Sequence, residues 1–390
     1  MSTVLVTGAR APVALHWARL LHEAGHRVIL GDSHRFPMSR PTRFKSAYVR
    51  LPPPRGNVVD YARAVEAVVR AERCDLVVPT CEEIFFLAAA RDFHGADIPL
   101  DAPDFATLAS VHDKHSFAGI ARGFGADPPP TTPLTSRDDV RPLIGDAANL
   151  VFKPVWSRFA ERVLIRPAVA TLEKLTPTAA DPWIAQRYLP GEELCSWALA
   201  RKGKVVALQA YRPLYRAGRG ASLAFAPLDH PTSSTFVEGF SEKLNWTGQL
   251  SFDFRHDADG RLSAIECNPR ATSGLHFFGP GSGLDRALIE GEAAVPTRDG
   301  AMTLPLAMLI YGLPFARREK SLGKWWRDFR TMGDISRWPC DRSLLPAQLL
   351  ALAEVATIAI AKGMGLKAAA TADIEWNGEE LDGRDWRSEK

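Results

Sequence analysis

Two acidic residues are predicted to face each other in residues 249–270 of this 390-residue chain. Asp259-Gly260 is typical of a two-residue hairpin turn, and segments of alternating polarity flank it. With those two residues as the loop, Asp253 lies directly opposite Glu266, and Asn268 projects from the same face as Glu266. Like charges opposed in this way destabilise a sheet by about 0.2–1 kcal/mol. Two carboxylates and an amide oxygen on one face therefore predict a cation site that suits Mg²⁺, with Mn²⁺ as the alternative.

The spacing from Asp253 to the run Glu266-Cys-Asn-Pro-Arg270 resembles the metal-binding signature of the ATP-grasp superfamily, and the resemblance extends over about residues 109–283. It implies two α+β lobes that clamp ATP. It also implies a carboxylate–amine or carboxylate–thiol ligase, which phosphorylates a carboxylate and passes the acyl phosphate to a nucleophile, usually an amine. The hairpin by itself leaves a second interpretation open, in which both acids are solvated or neutralised by Arg255 or Arg270. A longer loop would also shift the register.

The same resemblance implies a nucleotide site. Lys153, at the end of an apolar strand, matches a lysine that holds the α-phosphate, and Lys114, on a helix, matches a second nucleotide-binding lysine. Backbone groups near Tyr188 and Leu189 would hold adenine, and Glu193 would accept hydrogen bonds from the ribose. The residues assigned to ATP are Lys114, Lys153, Gln186, Arg187, Tyr188, Leu189 and Glu193. Each also has a purely structural interpretation, as an exposed lysine or as a strand followed by a Pro-Gly turn and a surface acid.

Arginines are assigned to the transferring phosphate. Arg270 follows the hairpin directly and would contact the phosphate or the acyl-phosphate oxygens. Residues 211–220 are predicted to be a mobile glycine-containing loop whose Arg212, Arg216 and Arg219 close over the substrate. The alternative for this loop is an exposed basic segment without a role in the reaction.

Two neighbouring segments complete the predicted site. Residues 155–163, directly after Lys153, would cover the phosphates but contain no glycine, unlike the glycine-rich flap common in the family. The side-chain donors available there are Ser157, Arg158 and Arg162. The stretch from Thr272 to His276 could line the acceptor pocket, although a lone histidine is more typical of a structural role.

The elements that must position these residues change in character along the chain. Strand and helix alternate first, with strands at Thr3–Thr7, Arg27–Leu30 and Asp75–Pro79 and a helix at about Asp60–Glu72, which predicts a parallel sheet. The proline-rich residues 127–133 are predicted to be an extended connector. Paired strands follow, at Leu150–Lys153, Val163–Arg166, Trp183–Tyr188, Leu194–Ala200 and Lys204–Tyr211.

The predicted fold class is therefore a multidomain α/β and α+β protein. A Rossmann-like domain covers residues 1–105 and an ATP-grasp domain covers 106–295, with lobes at about 106–185 and 186–295. A mostly helical region covers residues 296–390.

The turn after the first strand is a weak dinucleotide signal. Gly8 and the later Asp32 fit such a site, but the turn lacks the second and third glycines that let backbone approach a pyrophosphate. No tyrosine is followed four residues later by lysine, as a short-chain dehydrogenase requires. Two alternatives to a ligase thus remain: a nucleotide-binding protein without catalysis and, less favoured, an NAD(P)-dependent dehydrogenase.

Composition excludes several other classes. The chain has 48 basic and 45 acidic residues, a net charge of +3, and 46% hydrophobic residues, which argues against a disordered chain or a general nucleic-acid coat. The N-terminus does not read as a secretory signal, and five widely spaced cysteines suggest reduced thiols. We expect a cytoplasmic enzyme acting on small molecules, with no nucleic acid as a partner; a homodimer remains open.

The C-terminal region lies outside these motifs. Residues 313–342 combine three tryptophans with eight basic and four acidic residues. A domain interface is the favoured interpretation, and peripheral membrane contact or a lipid-like substrate is the alternative. Residues 344–361 carry one charge, Glu354, and are predicted to be a buried helix rather than a membrane span.

Overall fold

The structure, a computed structural model, describes residues 1–157, 162–216, 220 and 222–381. The N-terminal domain has the strands β1 (Thr3–Thr7), β2 (Arg27–Asp32), β3 (Ala47–Arg50) and β4 (Leu76–Val78), and the helices α1 (Pro12–Glu23), α2 (Val58–Glu72) and α3 (Glu83–Asp92). The strands form a parallel sheet in the order β3-β2-β1-β4, which confirms the predicted parallel sheet. Sequence reasoning missed β3, a short and partly exposed edge strand.

The turn after β1 brings two strand ends close together. Gly8 has φ +71°, and a Cβ atom there would lie 2.5 Å from Oγ1 of Thr80, just after β4. Only glycine fits this left-handed, crowded position. Pro12 then starts α1, whose residues 13–21 are all buried between the N-terminal sheet and the rest of the protein.

The predicted first lobe contains a four-stranded antiparallel sheet in the order β5-β8-β6-β7. Two helices precede it, α4 (Phe105–His112) and α5 (Lys114–Ile120), and their buried Leu108, Val111 and Phe117 belong to the core that contains Phe252, outside this sheet. The elements of the sheet region are β5 (Thr131–Leu134), α6 (Arg137–Val140), β6 (Leu150–Pro154), β7 (Leu164–Ile165), α7 (Val169–Leu172) and β8 (Trp183–Arg187). The predicted connector at 127–133 is therefore only partly a connector, since its second half belongs to β5. An edge strand tolerates Pro133 because the missing N–H is not required by a second neighbour.

The second lobe is built on a seven-stranded sheet in the order β13-β12-β9-β10-β11-β14-β15. Its first elements are β9 (Glu193–Arg201), β10 (Lys204–Arg216), β11 (Ser222–Leu228), α8 (Pro231–Lys243), β12 (Gly248–His256), β13 (Leu262–Asn268) and α9 (Leu284–Ile289). The prediction that residues 211–220 form a loop is wrong for its first part, because 211–216 pair with β11 as the end of β10. Arg212 and Arg216 thus lie on a strand, and Arg219 lies outside the described residues.

The C-terminal region is mostly helical, as predicted, and is joined to the second lobe. Its elements are β14 (Met302–Thr303), α10 (Pro305–Ala307), α11 (Leu313–Arg318), α12 (Leu322–Thr331), β15 (Gly333–Asp334), α13 (Leu345–Lys362) and α14 (Leu366–Ala369). The two short strands extend the seven-stranded sheet beyond β11. Trp325 and Trp338 are buried, which agrees with the interface interpretation, whereas Trp326 is 55% exposed.

Helix α13 forms where a helix was predicted, but the prediction that it is buried is wrong. Its buried residues are Ala347, Gln348 and Ala359, while Leu350 and Ile360 are 54% and 83% exposed. By length and composition α13 could cross a membrane, although such a helix by itself is weak support for one. Hydropathy describes the helix and carries no information about what covers it.

A glutamine joins the N-terminal domain to the second lobe. The indole N–H groups of Trp17 on α1 and Trp197 on β9 both donate to Oε1 of Gln249 on β12, at 2.9 and 3.3 Å. Nε2 of Gln249 donates to the carbonyl of Pro79 at 3.0 Å. Both Oε1 and Nε2 of Gln249 therefore help to fix β12, which carries Asp253, against the end of β4.

We expect that Arg19→Ala destabilises the protein by about 3–5 kcal/mol, because it leaves a buried carboxylate without its cation. Nη2 of Arg19 lies 2.8 Å from Asp341, and both side chains are at most 1% exposed. Urea unfolding measures the loss. Arg70→Ala is the matched control, since Arg70 is 78% exposed in its pair with Glu66. Equal, small losses in both variants would contradict the importance of the buried pair.

Candidate active site

The acidic hairpin has the predicted pairing at its functional end. Asp253 lies opposite Glu266, and Ser251 opposite Asn268. The loop is longer than predicted, with β12 ending at His256 and β13 starting at Leu262, and this shifts the register by one. A bulge between Asp253 and the next pair, Phe254 with Ala264, restores it. The two deviations cancel, so both acids and Asn268 share one face of the sheet.

The two carboxyl groups titrate as an unequal pair. Burial, with the negative charges of Glu266 and Glu193, raises the pKa of Asp253 to about 7. Burial acts in the same direction on Glu266, but the ammonium groups of Lys114 and Lys153 outweigh it and lower the pKa of that carboxyl. Full ionisation of the pair is thus unfavourable without a further cation. The donor set of two carboxylates and the Asn268 amide fits Mg²⁺ or Mn²⁺.

A second acidic cluster shares Asp253. Ligand atoms of Glu193, Cys195 and Asp253 lie within 4.8 Å of one another. Burial raises the pKa of the Cys195 thiol well above its usual value, so it stays protonated and is a poor ligand for a hard cation. Glu193, predicted to bind ribose, forms an ion pair with Arg216. The ion pair of Glu193 and Arg216 therefore lies beside Asp253. Sequence reasoning assigned both residues to the site but did not predict that they pair with each other.

Both predicted nucleotide lysines are buried beside the acids. Lys153, in β6, is 4% exposed, and burial lowers its pKa to about 8 even though Glu266 opposes the shift. Lys114, the first residue of α5, is 3% exposed and lies 3.6 Å from Glu266. Its Nζ also donates to the carbonyls of Val155 and Ser157, at 3.1 and 3.0 Å. Lys114 thus connects Glu266 to the segment that follows Lys153.

Gln186 and Arg187, two of the residues assigned to ATP, lie on opposite faces of the sheet that contains β6 and β8. Val151 pairs with Gln186 and Lys153 with Ile184, so the side chain of Gln186 lies on the same face as Lys153. It donates to Thr131 at 3.0 Å. Arg187 lies on the opposite face, half exposed and 3.5 Å from Asp146. Any contact of Arg187 with ATP would therefore use its backbone.

The backbone predicted to hold adenine already makes hydrogen bonds. The N–H of Tyr188 donates to Asn149 at 2.8 Å. The carbonyl of Leu189 accepts from Nη1 of Arg255 at 2.8 Å. Arg255 thus binds the backbone of Leu189 and not Asp253. This removes one of the two cations that the alternative interpretation of the hairpin required.

Arg270, predicted to contact the transferring phosphate, lies next to Asn268. Its Nη2 donates to Oδ1 of Asn268 at 3.2 Å, and its Nε lies 3.9 Å from Glu82. Sequence reasoning missed Glu82, which is 4% exposed and follows β4 by a few residues. The signal was available, because the carboxyl ends of parallel strands are the edge at which such sheets bind ligands.

The remaining predicted residues have structural roles or lie to one side. His276 is 2% exposed, and burial with the charge of Arg298 lowers its pKa to about 3, which fits the structural histidine. The hydroxyl of Thr272 accepts a hydrogen bond from the hydroxyl of Tyr211 and donates one to the hydroxyl of Ser251. Arg162 pairs with Asp181, and Arg158 lies outside the described residues.

No protein-family model matches the chain, and no curated protein is similar to it in sequence. Solved structures are similar in fold. N5-carboxyaminoimidazole synthetase from Staphylococcus aureus is 12% identical with a TM-score of 0.60, covering 81% of this chain and 86% of its own. Biotin carboxylase from Campylobacter jejuni, solved with β,γ-ATP, is 16% identical with a TM-score of 0.60, covering 77% and 74%.

A third similar structure is L-amino acid ligase from Bacillus licheniformis, which is 16% identical with a TM-score of 0.56 and covers 78% of this chain and 80% of its own. These neighbours are ATP-grasp enzymes. The chain therefore has the ATP-grasp fold, with a Rossmann-like domain before the clamp and a helical region after it.

Proposed function

We propose that this protein is an ATP- and Mg²⁺-dependent ligase that activates a small-molecule carboxylate as an acyl phosphate and joins it to an amine. The observation that carries the proposal is the half-buried pair of Asp253 and Glu266, opposed on one face of the sheet with the buried Lys114 and Lys153 beside it. Such a pair is unfavourable for a protein that binds no cation there. Mn²⁺ is the alternative cation.

The roles of the binding residues follow from their charges. Asp253, Glu266 and Asn268 would hold the cation, which neutralises charge on the ATP phosphates when bound. Lys153, from β6, and Lys114, from α5, would contact the phosphates, with Gln186 on the same face of the sheet as Lys153. Phosphoryl transfer depends mainly on positioning and charge neutralisation, so no covalent nucleophile on the protein is needed.

The reaction would proceed in two displacements. An oxygen of the substrate carboxylate attacks the γ-phosphorus of ATP, and the bond to the β–γ bridging oxygen breaks, so that ADP leaves. The amine nitrogen then attacks the acyl carbon, gives up a proton and displaces inorganic phosphate. Arg270 would bind the acyl-phosphate oxygens, assisted by Arg216 and Arg219.

The N-terminal domain would bind the substrate amine. Glu82 extends toward Arg270 from the edge of the parallel sheet, and its carboxylate is suited to binding an ammonium or accepting its proton. A dehydrogenase is disfavoured, because Asp32 accepts hydrogen bonds from the backbone N–H and the guanidinium of Arg10. The acid that would bind a dinucleotide ribose is thus already engaged.

The direct test is incubation of the purified protein with ATP, Mg²⁺ and a deproteinised cell extract, with ADP and new masses as the readouts. We expect ADP formation that depends on Mg²⁺ and on the extract, together with a product mass equal to carboxylate plus amine minus water. ATP that raises the melting temperature without any ADP formation would favour the nucleotide-binding protein without catalysis. The observation that favours this second candidate function is the absence of glycine in residues 155–163.

A further inference from the structure

Residues Thr371–Leu381, which we call the strap, cross the edge of the N-terminal sheet at the carboxyl ends of its strands. The carboxylate of Asp373 receives two hydrogen bonds from the Arg10 guanidinium, at 2.6 and 2.9 Å. The N–H of Arg55 donates to the carbonyl of Asp373 at 3.0 Å. Open α/β sheets bind ligands at this edge. Here the chain covers part of the edge with its own residues.

The strap carries one large aromatic anchor, Trp376, which is 3% exposed. Its ring stacks on Phe85 of α3 at 4.8 Å and meets Phe105 of α4 edge-on at 5.3 Å. Its third neighbour is Trp156, three residues after Lys153, at 4.8 Å. The backbone N–H of Trp376 also reaches the carboxylate of Glu82 at 3.5 Å. Trp376 therefore joins the N-terminal domain to the beginning of the segment that would cover the phosphates.

Gly378 of the strap also contacts Trp156. Gly378 has φ +84°, and a Cβ atom there would lie 2.4 Å from Nε1 of Trp156. The indole of Trp156 is thus held between Trp376 and the backbone of Gly378. Lys114 in addition donates to the carbonyls of Val155 and Ser157. Residues 155–157 are consequently held by two separate sets of contacts, one from the strap and one from Lys114.

We propose that the strap is a positioning element of the nucleotide site, which holds residues 155–157 in place through Trp376 and Gly378. This inference rests on the proposed function, since it assumes that these residues border bound ATP. A glycine-rich flap closes by its own backbone freedom, but residues 155–163 contain no glycine. In this protein the beginning of the flap is placed by a segment more than 200 residues later in the sequence.

The test compares glycine-to-alanine substitutions at two positions of positive φ. In Gly378→Ala the new methyl group collides with Trp156, whereas Gly363 has φ +61° and no atom within 4 Å of a Cβ. We expect the Kd for ATP, measured by calorimetry, to rise at least about tenfold in Gly378→Ala and to stay unchanged in Gly363→Ala. Circular dichroism establishes that both variants are folded. ATP binding by Gly378→Ala that equals the wild type would overturn the proposal.

A second set of three variants tests the anchor itself. We expect Trp376→Ala to weaken ATP binding, Trp376→Phe to restore most of it, and Trp326→Ala, at an exposed position, to have no effect. In steady-state kinetics the KM for ATP should change more than kcat. The rate of trypsin cleavage after Arg162 should rise in Gly378→Ala, which tests the anchoring without ATP. An unchanged cleavage rate would refute the strap proposal, whereas a wild-type protein that binds no ATP would refute the proposed function.

Discussion

Asp253→Asn and Glu266→Gln should each lower Mg²⁺-dependent ADP formation by at least about 100-fold, because each removes one of two opposed carboxylate ligands. The variants should remain folded, and Asp253→Asn should unfold at an equal or higher temperature than the wild type. The pKa of Asp253 is raised to about 7 by burial and by its acidic neighbours, so its charge opposes folding in the absence of a cation. ADP formation at saturating ATP across a Mg²⁺ titration measures the first effect, and calorimetric melting the second.

The control for this pair lies on the same hairpin. Asp259, whose side chain is 75% exposed, pairs with Arg261 in the loop. Asp259→Asn removes one negative charge from the hairpin without touching the paired face, so its activity should equal that of the wild type. Full activity in both Asp253→Asn and Glu266→Gln would refute the metal site and, with it, the reaction proposed here.

Lys153→Met should raise the KM for ATP by about 10–100-fold, since a buried ammonium that contacts phosphate contributes about 1.5–3 kcal/mol. A pH dependence accompanies this effect. Burial lowers the pKa of Lys153 from its usual 10.5 to about 8, so the side chain is charged below that pH and neutral above it. The KM for ATP of the wild type should therefore increase as pH rises through about 8, and Lys153→Met should lack this increase.

Lys174→Met serves as the control for Lys153, because Lys174 is an exposed lysine of the same lobe. It should leave both the KM for ATP and its pH profile unchanged. A Lys153→Met variant with wild-type affinity, or a wild-type KM that is constant between pH 7 and 9.5, would contradict the assignment of Lys153 to the nucleotide.

The acidic pair was predictable from sequence because hairpin pairing is a local property. Asp253 and Glu266 are 13 residues apart, and the alternation of apolar residues fixes which side chains share a face. The length of the loop was not predictable in the same way. The longer loop shifts the register by one residue, and the bulge near Ile265 shifts it back. The buried face of the hairpin constrains only the net register, and it does not fix the loop length or the bulge separately.

Which distant segments touch each other was not predictable from sequence. The end of a parallel strand marked the region of Glu82, but its contact with Arg270, like that of Trp376 with Trp156, arises only when segments far apart in the sequence fold together. The exposure of α13 was missed for the same reason, since a hydrophobic composition does not specify a covering partner. The parallel N-terminal sheet was recovered because each of its βα units follows a local pattern of apolar residues and turns.

The contact between Arg10 and Asp373 also determines an order of events during translation. The two residues are 363 positions apart, and synthesis at about 5–20 residues per second takes roughly 20–70 s to cover that distance. Arg10 can pair with Asp32, only 22 positions away, long before Asp373 leaves the ribosome. The nascent N-terminal domain can thus pair Arg10 early. The aromatic cluster around Trp376 must be assembled afterwards, so the contacts that hold Trp156 are among the last to form.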